Sequence, residues 1–380
     1  MSQIELWPAE PTIQSDQIEI SFELEDASHE RQRYWYRLSA ELQNALTASC
    51  DPFLLPTVFI AMQKGSDLRV HGPVSPSLLK NLVEFQATWA AWRPGTYTPV
   101  EISADLEREN EPQAARGVIT TFSGGVDSAF TVWRHHEGLA GRQTQSIQAG
   151  LMIHGFDIRL NQPDVFERSV TKAQNFLESM PLKLLTMSTN LKKTGINFDD
   201  AHAAVLASCM MLLQGSYSTA LIPSSYPLSN LYVPWGSNPI TDRLLSSDTF
   251  KIIHDGAAFA RLDKIIVISK WPAATRYLRV CLRGESRDEN CCRCEKCTRT
   301  ILEFRAAGLG LPACFEHDVS IAQILRLKIP RSTHNYRLVL KTAKAYGVSG
   351  LWIQALKWAV FWNDLRLKAI SVLRNPRRFR

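Results

Sequence analysis

The alternation of apolar and polar positions divides the chain into three stretches of different character. Up to residue 112, short runs rich in β-branched and aromatic side chains predict strands at 17–24, 33–38, 57–63 and 98–102. Helical spacing predicts a helix over 75–92, capped by Ser75 or Ser77. Together they predict a small α+β domain over residues 1–112, followed by a polar linker, 105–116, around Pro112. From residue 117 strands and helices alternate. Strands are predicted at 118–122, 150–153, 182–187, 220–222 and 264–269, with helices over 129–136, 165–180 and 198–213. This alternation predicts an α/β domain over 113–312: a doubly wound parallel sheet with helices on both faces, binding ligands beyond the C-terminal ends of its strands. Residues 313–380 read as a helical segment. There Trp358, Phe361, Trp362 and Leu365 follow the i, i+3, i+4, i+7 template. Core packing is the expectation for this stripe, and a helix lying on a membrane is the alternative.

Composition narrows the class. With 380 residues, 45% hydrophobic and 21% charged, the chain can bury a large core without disulfides, and collagen-like, coiled-coil and wholly disordered readings are excluded. No apolar run approaches the ~18 residues of a membrane span. The longest, 351–362, is broken by Gln354 and Lys357. The opening Met1-Ser2-Gln3-Ile4-Glu5 has neither the basic nor the apolar region of a signal peptide, so a cytoplasmic location is expected. The net charge of +6 is mild and does not by itself indicate nucleic acid. It is uneven, however: Arg366, Lys368, Arg374, Arg377, Arg378 and Arg380 follow Asp364 with no further acid. A solvated tail is expected there, with attraction to phosphate or a membrane surface as the alternative.

Two segments carry candidate chemistry. The first is Phe122-Ser123-Gly124-Gly125-Val126-Asp127-Ser128, set between a predicted strand and a predicted helix. Two glycines allow turn conformations and close approach of a ligand, and a helix N-terminus favours an anion. The serine hydroxyls add donors, and Asp127 could hold Mg²⁺ bridging phosphates. The spacing and lysine of a Walker loop are missing. The second is the cysteine cluster. Of eight cysteines, Cys281, Cys291, Cys292, Cys294 and Cys297 fall within seventeen residues. The spacing Cys281-x9-Cys291-x2-Cys294-x2-Cys297 offers four thiolates for a closed, structural Zn²⁺ site, and an iron–sulfur cluster is open on the same ligands.

The segment 122–128 resembles the SGGxDS signature of the PP-loop ATP pyrophosphatases, which cleave ATP between its α- and β-phosphates. Followed by four cysteines of this spacing, it resembles the 7-cyano-7-deazaguanine synthase family of the queuosine pathway, over about half of the chain. The resemblance implies an adenine nucleotide alpha hydrolase-like fold. It also implies an ATP loop at Phe122–Ser128, with Ser123, Asp127 and Ser128 acting on the triphosphate, and zinc on Cys281, Cys291, Cys294 and Cys297. His154, at the end of the second strand, falls where such folds place adenine. Cys292 stands where the family usually has glycine, and the first cysteine interval is about one residue longer. The family's enzymes are shorter, and their substrate stretch differs. Here that stretch reads Pro223-Ser224-Ser225-Tyr226-Pro227 and Val233-Pro234-Trp235-Gly236-Ser237-Asn238, which makes Ser224, Tyr226, Trp235 and Asn238 candidates for the second substrate.

The implied reaction uses ATP and Mg²⁺ to adenylate a carboxylate such as 7-carboxy-7-deazaguanine. A nitrogen donor, ammonia or a protein amine, then gives an amide or nitrile. Extended proteins of this kind occur in anti-phage defence, with residues 1–112 available for a partner protein. Weaker candidates are Asp199, Asp200 and His202 at the start of the third helix, expected as caps, the turn His254-Asp255-Gly256, and Lys270, placed after the fifth strand to meet pyrophosphate. Two rivals remain: an RNA-thiolating PP-loop enzyme, drawing its thiol from Cys50, Cys209, Cys292 or Cys314, and a non-catalytic zinc-bearing module that binds nucleic acid or protein.

Overall fold

A computed structural model describes residues 3–111, 117–281, 288–329 and 332–374, with side chains described up to 369. The linker around Pro112 lies partly outside them, and the arginines of the extreme C-terminus lie wholly outside. In chain order the elements are β1 (Gln3–Pro8), β2 (Thr12–Gln14), β3 (Gln17–Glu25), β4 (Arg31–Ser39), α1 (Asp51–Lys64), β5 (Asp67–Val74), α2 (Pro76–Trp92) and β6 (Ile102–Glu107). There follow β7 (Gly117–Thr121), α3 (Val126–His136), β8 (Ile147–His154), α4 (Pro163–Leu177), β9 (Lys183–Thr189), α5 (Phe198–Met211), β10 (Tyr217–Pro223) and β11 (Lys251–Asp255). The chain ends in helices: α6 (Arg261–Ile268), α7 (Pro272–Tyr277), α8 (Glu295–Ala306), α9 (Ile321–Leu325), α10 (His334–Ala345) and α11 (Leu351–Arg374).

The strands form one eleven-stranded sheet of order β11-β10-β7-β8-β9-β4-β3-β1-β5-β6, with β2 paired to β3. The five strands β7 to β11 run parallel, and the order reverses between β7 and β10. Two compact units emerge: Met1–Ser123 with Asp127–Ala260, holding the whole sheet, and Gly124–Val126 with Arg261–Arg380, holding α6 to α11.

The boundary expected near residue 112 therefore separates no compact unit. The N-terminal strands continue the parallel sheet because β4 pairs antiparallel with β9 (Tyr36 opposite Thr189, Leu38 opposite Met187). Asn190 extends this short ladder with its side chain: its Oδ1 accepts from the Trp35 N–H at 2.8 Å and its Nδ2 donates to the Arg33 carbonyl at 3.0 Å. Beneath the joint, Tyr36, Ser208 of α5 and the Pro52 carbonyl of α1 form a buried relay. The Ser208 hydroxyl donates to Pro52 O at 2.5 Å and meets the Tyr36 hydroxyl at 2.7 Å. Pro56, which lacks an N–H, leaves the Pro52 carbonyl without its helical donor, and Ser208 supplies the replacement. The boundary expected at 312 is also not where the units part; the cysteine cluster belongs to the helical unit that begins at Arg261.

Other expectations are corrected. Residues 57–63 belong to helix α1, not a strand; Asp51 to Met62 are all buried, and a helix apolar all round shows no 3.6-residue period. Residues 264–269 fall in α6 and the turn after it, because Leu262, Ile265 and Ile268 are buried at helical spacing; the last parallel strand is β11. The strand expected at 98–102 begins only at Ile102. Ser75 occupies the N-cap of α2, but its hydroxyl donates to buried Asp51 at 2.6 Å instead of capping.

Ser208→Ala strands two buried groups, the Pro52 carbonyl and the Tyr36 hydroxyl. A stability loss of about 2–4 kcal/mol is expected, read as a lower urea midpoint at unchanged slope. Adding Tyr36→Phe should cost less than the sum of the single changes. Strict additivity would show that the three groups are not coupled.

Candidate active site and metal centre

The glycine-rich segment follows β7 at the point where strand order reverses, the place where open α/β sheets leave a crevice at their strand ends. β7 forms here because Val118, Ile119, Thr120 and Thr121 are β-branched and Ile119 and Thr120 are fully buried. Gly124 has φ +73°, a left-handed conformation that strains any residue with a Cβ, although space for one exists. Its carbonyl accepts the Arg279 N–H at 2.8 Å. Ser123 Oγ and Ser128 Oγ lie 3.4 Å apart. α3 then directs the positive end of its dipole toward the segment. Two members of the expected set are structural. The Phe122 ring is fully buried, edge-on to Phe176 at 5.4 Å, and Val126 is buried too.

The way α3 is held has no signal in the sequence. Asp255, closing β11, accepts from Thr131 Oγ1 at 2.8 Å and His135 Nε2 at 3.1 Å, and pairs with Arg134, all on α3. Burial pushes the Asp255 carboxyl up, but these partners outweigh burial and leave its pKa below the ordinary value. A single aspartate in an expected turn has no motif, so only the tertiary contact reveals it.

The remaining candidates divide. His154 donates from Nε2 to the Arg159 carbonyl at 2.8 Å and stacks on Phe166 at 4.5 Å, and burial lowers its pKa. The ring is engaged within the fold, on the wall of a cavity of about 480 Å³ that also involves Arg37, Ser39, Glu167 and Ser188. Ser224 is fully buried, its N–H donating to Asp255 O at 2.8 Å. Asn238 is a buried turn residue whose Oδ1 accepts from the Ile240 N–H. Tyr226 and Trp235 do come together, edge to face at 5.3 Å, but the cleft they line with Pro227 and Val233 encloses only about 10 Å³, room for one water. The loop closes on the start of α5: a Cβ on Gly236 would stand 2.4 Å from His202 Nδ1 and 2.7 Å from Asp200 O. Ser237, Asp242 and His254 brace it, with His254 Nδ1 at 2.7 Å from Asp242 Oδ2.

The aspartates of α5 do not cap it. Asn197 does, accepting from the Asp199 N–H, while buried Asp200 pairs with Arg93 at 2.9 Å and accepts from Tyr97 at 3.2 Å. Lys270 is exposed after α6, at no strand end, so the ground for placing it against pyrophosphate is gone.

The cysteine spacing is borne out in space. The sulfurs of Cys281, Cys291, Cys294 and Cys297 all lie within 4.8 Å of one another, with Cys281–Cys294 at 3.9 Å and Cys291–Cys297 at 4.0 Å. A tetrahedral ion with ~2.3 Å bonds to sulfur needs edges of about 3.8 Å, so the four could hold a metal such as zinc. The N–H groups of Cys294 and Cys297 donate to the sulfurs of Cys291 and Cys294, which stabilises thiolates; hydrogen bonding from Cys297 lowers the Cys294 pKa. Cys292 is buried with φ +55°, its thiol donating to Asn290 O, and is not a ligand. Asn290 binds the segment ahead of Cys281: its Oδ1 accepts from the N–H groups of Val280 and Cys281, and its Nδ2 donates to Leu278 O and Cys314 O.

The thiols left over are poor nucleophiles. Burial pushes Cys50 and Cys314 up to about 12 and raises Cys209. Among the described residues no helix is long and apolar enough to cross a membrane. No family model, curated protein or solved structure matches the chain.

Two outcomes follow from this geometry. Protein purified without chelator should carry about one zinc-class ion per chain, lost in Cys294→Ser and kept in Cys292→Ser; metal content near zero by mass spectrometry would overturn the assignment. Asp255→Asn should cost about 3 kcal/mol near neutral pH. Because the folded-state pKa of Asp255 is depressed, the gap from wild type should persist above about pH 4 and close as pH falls through the lowered value. Chemical denaturation across that range reads it, and a gap independent of pH argues that the charge is immaterial.

Proposed function

We propose that the chain is an ATP-dependent ligase of the PP-loop type that forms a carbon–nitrogen bond. The observation that carries this reading is the Ser123–Ser128 segment itself. Left-handed Gly124 leads into the N-terminus of α3 at the reversal of strand order, with two serine hydroxyls side by side and Asp127 in the first turn. Such a segment suits a polyphosphate: backbone N–H groups and hydroxyls take the oxygens, and a carboxylate shares Mg²⁺ with them. In the proposed reaction a substrate carboxylate oxygen attacks the α-phosphorus of ATP, and pyrophosphate leaves with Mg²⁺. The nitrogen nucleophile then attacks the acyl carbon, and AMP departs with the transferred oxygen. Catalysis rests on positioning and charge stabilisation, and no side-chain nucleophile is needed.

Resemblance supplies the substrate: 7-carboxy-7-deazaguanine or a similar acid, joined to ammonia or to a protein amine, the latter in an anti-phage defence setting. The zinc assignment for the four cysteines belongs to the same reading, as a structural centre with no open position. The buried, raised thiols of Cys50, Cys209 and Cys314 weigh against a thiolating enzyme.

The decisive assay is release of pyrophosphate and AMP from ATP–Mg²⁺, with and without 7-carboxy-7-deazaguanine and ammonia. Asp127→Ala should lower release by about 10²–10³-fold without changing the melting temperature. Release that depends on a different acid keeps the mechanism and discards the substrate. An absence of ATP binding by the native chain would sink both.

A further inference from the structure

The stripe of Trp358, Phe361, Trp362 and Leu365 faces solvent, not a core. Trp358 is 55% exposed, Phe361 53% and Trp362 58%. α11 packs with α9 and α10 and buries the opposite side, where Trp352, Leu356, Ala359 and Asn363 lie; Asn363 donates to Leu327 O and accepts from the Ile329 N–H. At 100° per residue the four outward residues share an arc of about 100°. Their rings form one continuous patch. Trp358 and Trp362 lie nearly parallel at 6.0 Å, and Phe361 stands edge-on to Trp358 at 6.1 Å and to Trp362 at 5.7 Å.

Charge borders this patch on one edge, where Lys357 and Lys368 are exposed; on the other edge Arg366 is half-buried and donates to the Ile329 carbonyl. Asp364, which shares the edge of the two lysines, pairs with Arg337 and Thr333. The sequence beyond continues with Arg374, Arg377, Arg378 and Arg380 and no acid. Tryptophans flanked by long cations, whose stems lie along apolar surface while their heads reach phosphate, are the chemistry of the bilayer interface. A second copy of this chain would set these cations against their own kind. A nucleic acid would call for separate ring platforms along a basic groove, and here the rings are packed against one another.

We propose that α11 docks the protein on an anionic membrane surface, with the Trp358–Phe361–Trp362 patch in the headgroup layer and the flanking cations on lipid phosphates. This reading is independent of the proposed reaction. The test is flotation of the full-length chain with vesicles of phosphatidylcholine containing roughly 30% phosphatidylglycerol, against phosphatidylcholine alone, at about 0.15 M salt. Flotation with the anionic vesicles only is expected, with a blue shift of tryptophan emission. The exposed-site variant Trp358→Ser/Phe361→Ser/Trp362→Ser should bind at least about tenfold more weakly at an unchanged melting temperature. Lys357→Glu should weaken binding and flatten its salt dependence. The proposal is overturned by equal flotation of the triple variant, by equal binding to neutral vesicles, or by no flotation. Loss of self-association or of RNA binding in the triple variant, in a chain that does not float, would reassign the face to that partner.

Discussion

The antiparallel pairing of β4 with β9 is the interaction on which the architecture depends. A parallel sheet ending at β9 would present a row of unpaired N–H and C=O groups at its edge. The N-terminal strands cover that edge, and the joint is short, so side chains complete it: Asn190 and Thr189 satisfy the backbone of Arg33 and Trp35 where the ladder stops. The consequence reaches the core. α1 is apolar on every side and can be stable only if surrounded, and it packs against α5 as well as β1 and β5. One hydrophobic cluster therefore runs from Ile4 to Ile252. The N-terminal stretch reads as a separate domain only while α1 is taken for a strand.

What could be read in the sequence follows the range of the interactions. The strands β7 to β10, the helices between them and the four-cysteine spacing depend on local pattern, and they are found where the pattern puts them. α1 was legible only as an apolar run, since complete burial erases the period that separates helix from strand. α6 is amphipathic, but its short run Ile265–Ile268 is consecutively apolar. Ser224 and Asn238 were chosen for lying in a polar loop after a strand. Their actual work, bracing turns, depends on Asp255 and Asp242, which are distant in sequence or carry no motif. The stripe on α11 shows the converse failure. Helical spacing identifies an apolar face correctly but does not say whether protein covers it, because α11 has a second apolar face that does the packing.

The closed cleft at Tyr226 and Trp235 bears on the chemistry. A cleft with room for one water cannot receive a purine-sized acid in this conformation, so the proposed reaction would need another place for its acid substrate. Gly236 allows the loop to close on α5. Its backbone lies close against His202 and Asp200, and Ser237, Asp242 and His254 hydrogen-bond to one another beside it. Asp200 is in turn tied to Arg93 and Tyr97, so the start of α5 is a fixed base for the loop.

The glycine-rich segment and the cysteine cluster are joined by a short chain of hydrogen bonds within the helical unit. Gly124 gives its carbonyl to the Arg279 N–H, and the next two residues, Val280 and Cys281, give their N–H groups to Asn290 Oδ1. Asn290 precedes Cys291 directly and holds Leu278 and Cys314 with its other end. An ion on Cys281, Cys291, Cys294 and Cys297 would fix both ends of this segment at once. A four-thiolate centre offers no position for substrate, yet through Arg279 it fixes the carbonyl of the one residue whose left-handed backbone opens the loop. Under the proposed function its contribution would be to pre-organise the loop, lowering the ordering needed for a polyphosphate to bind.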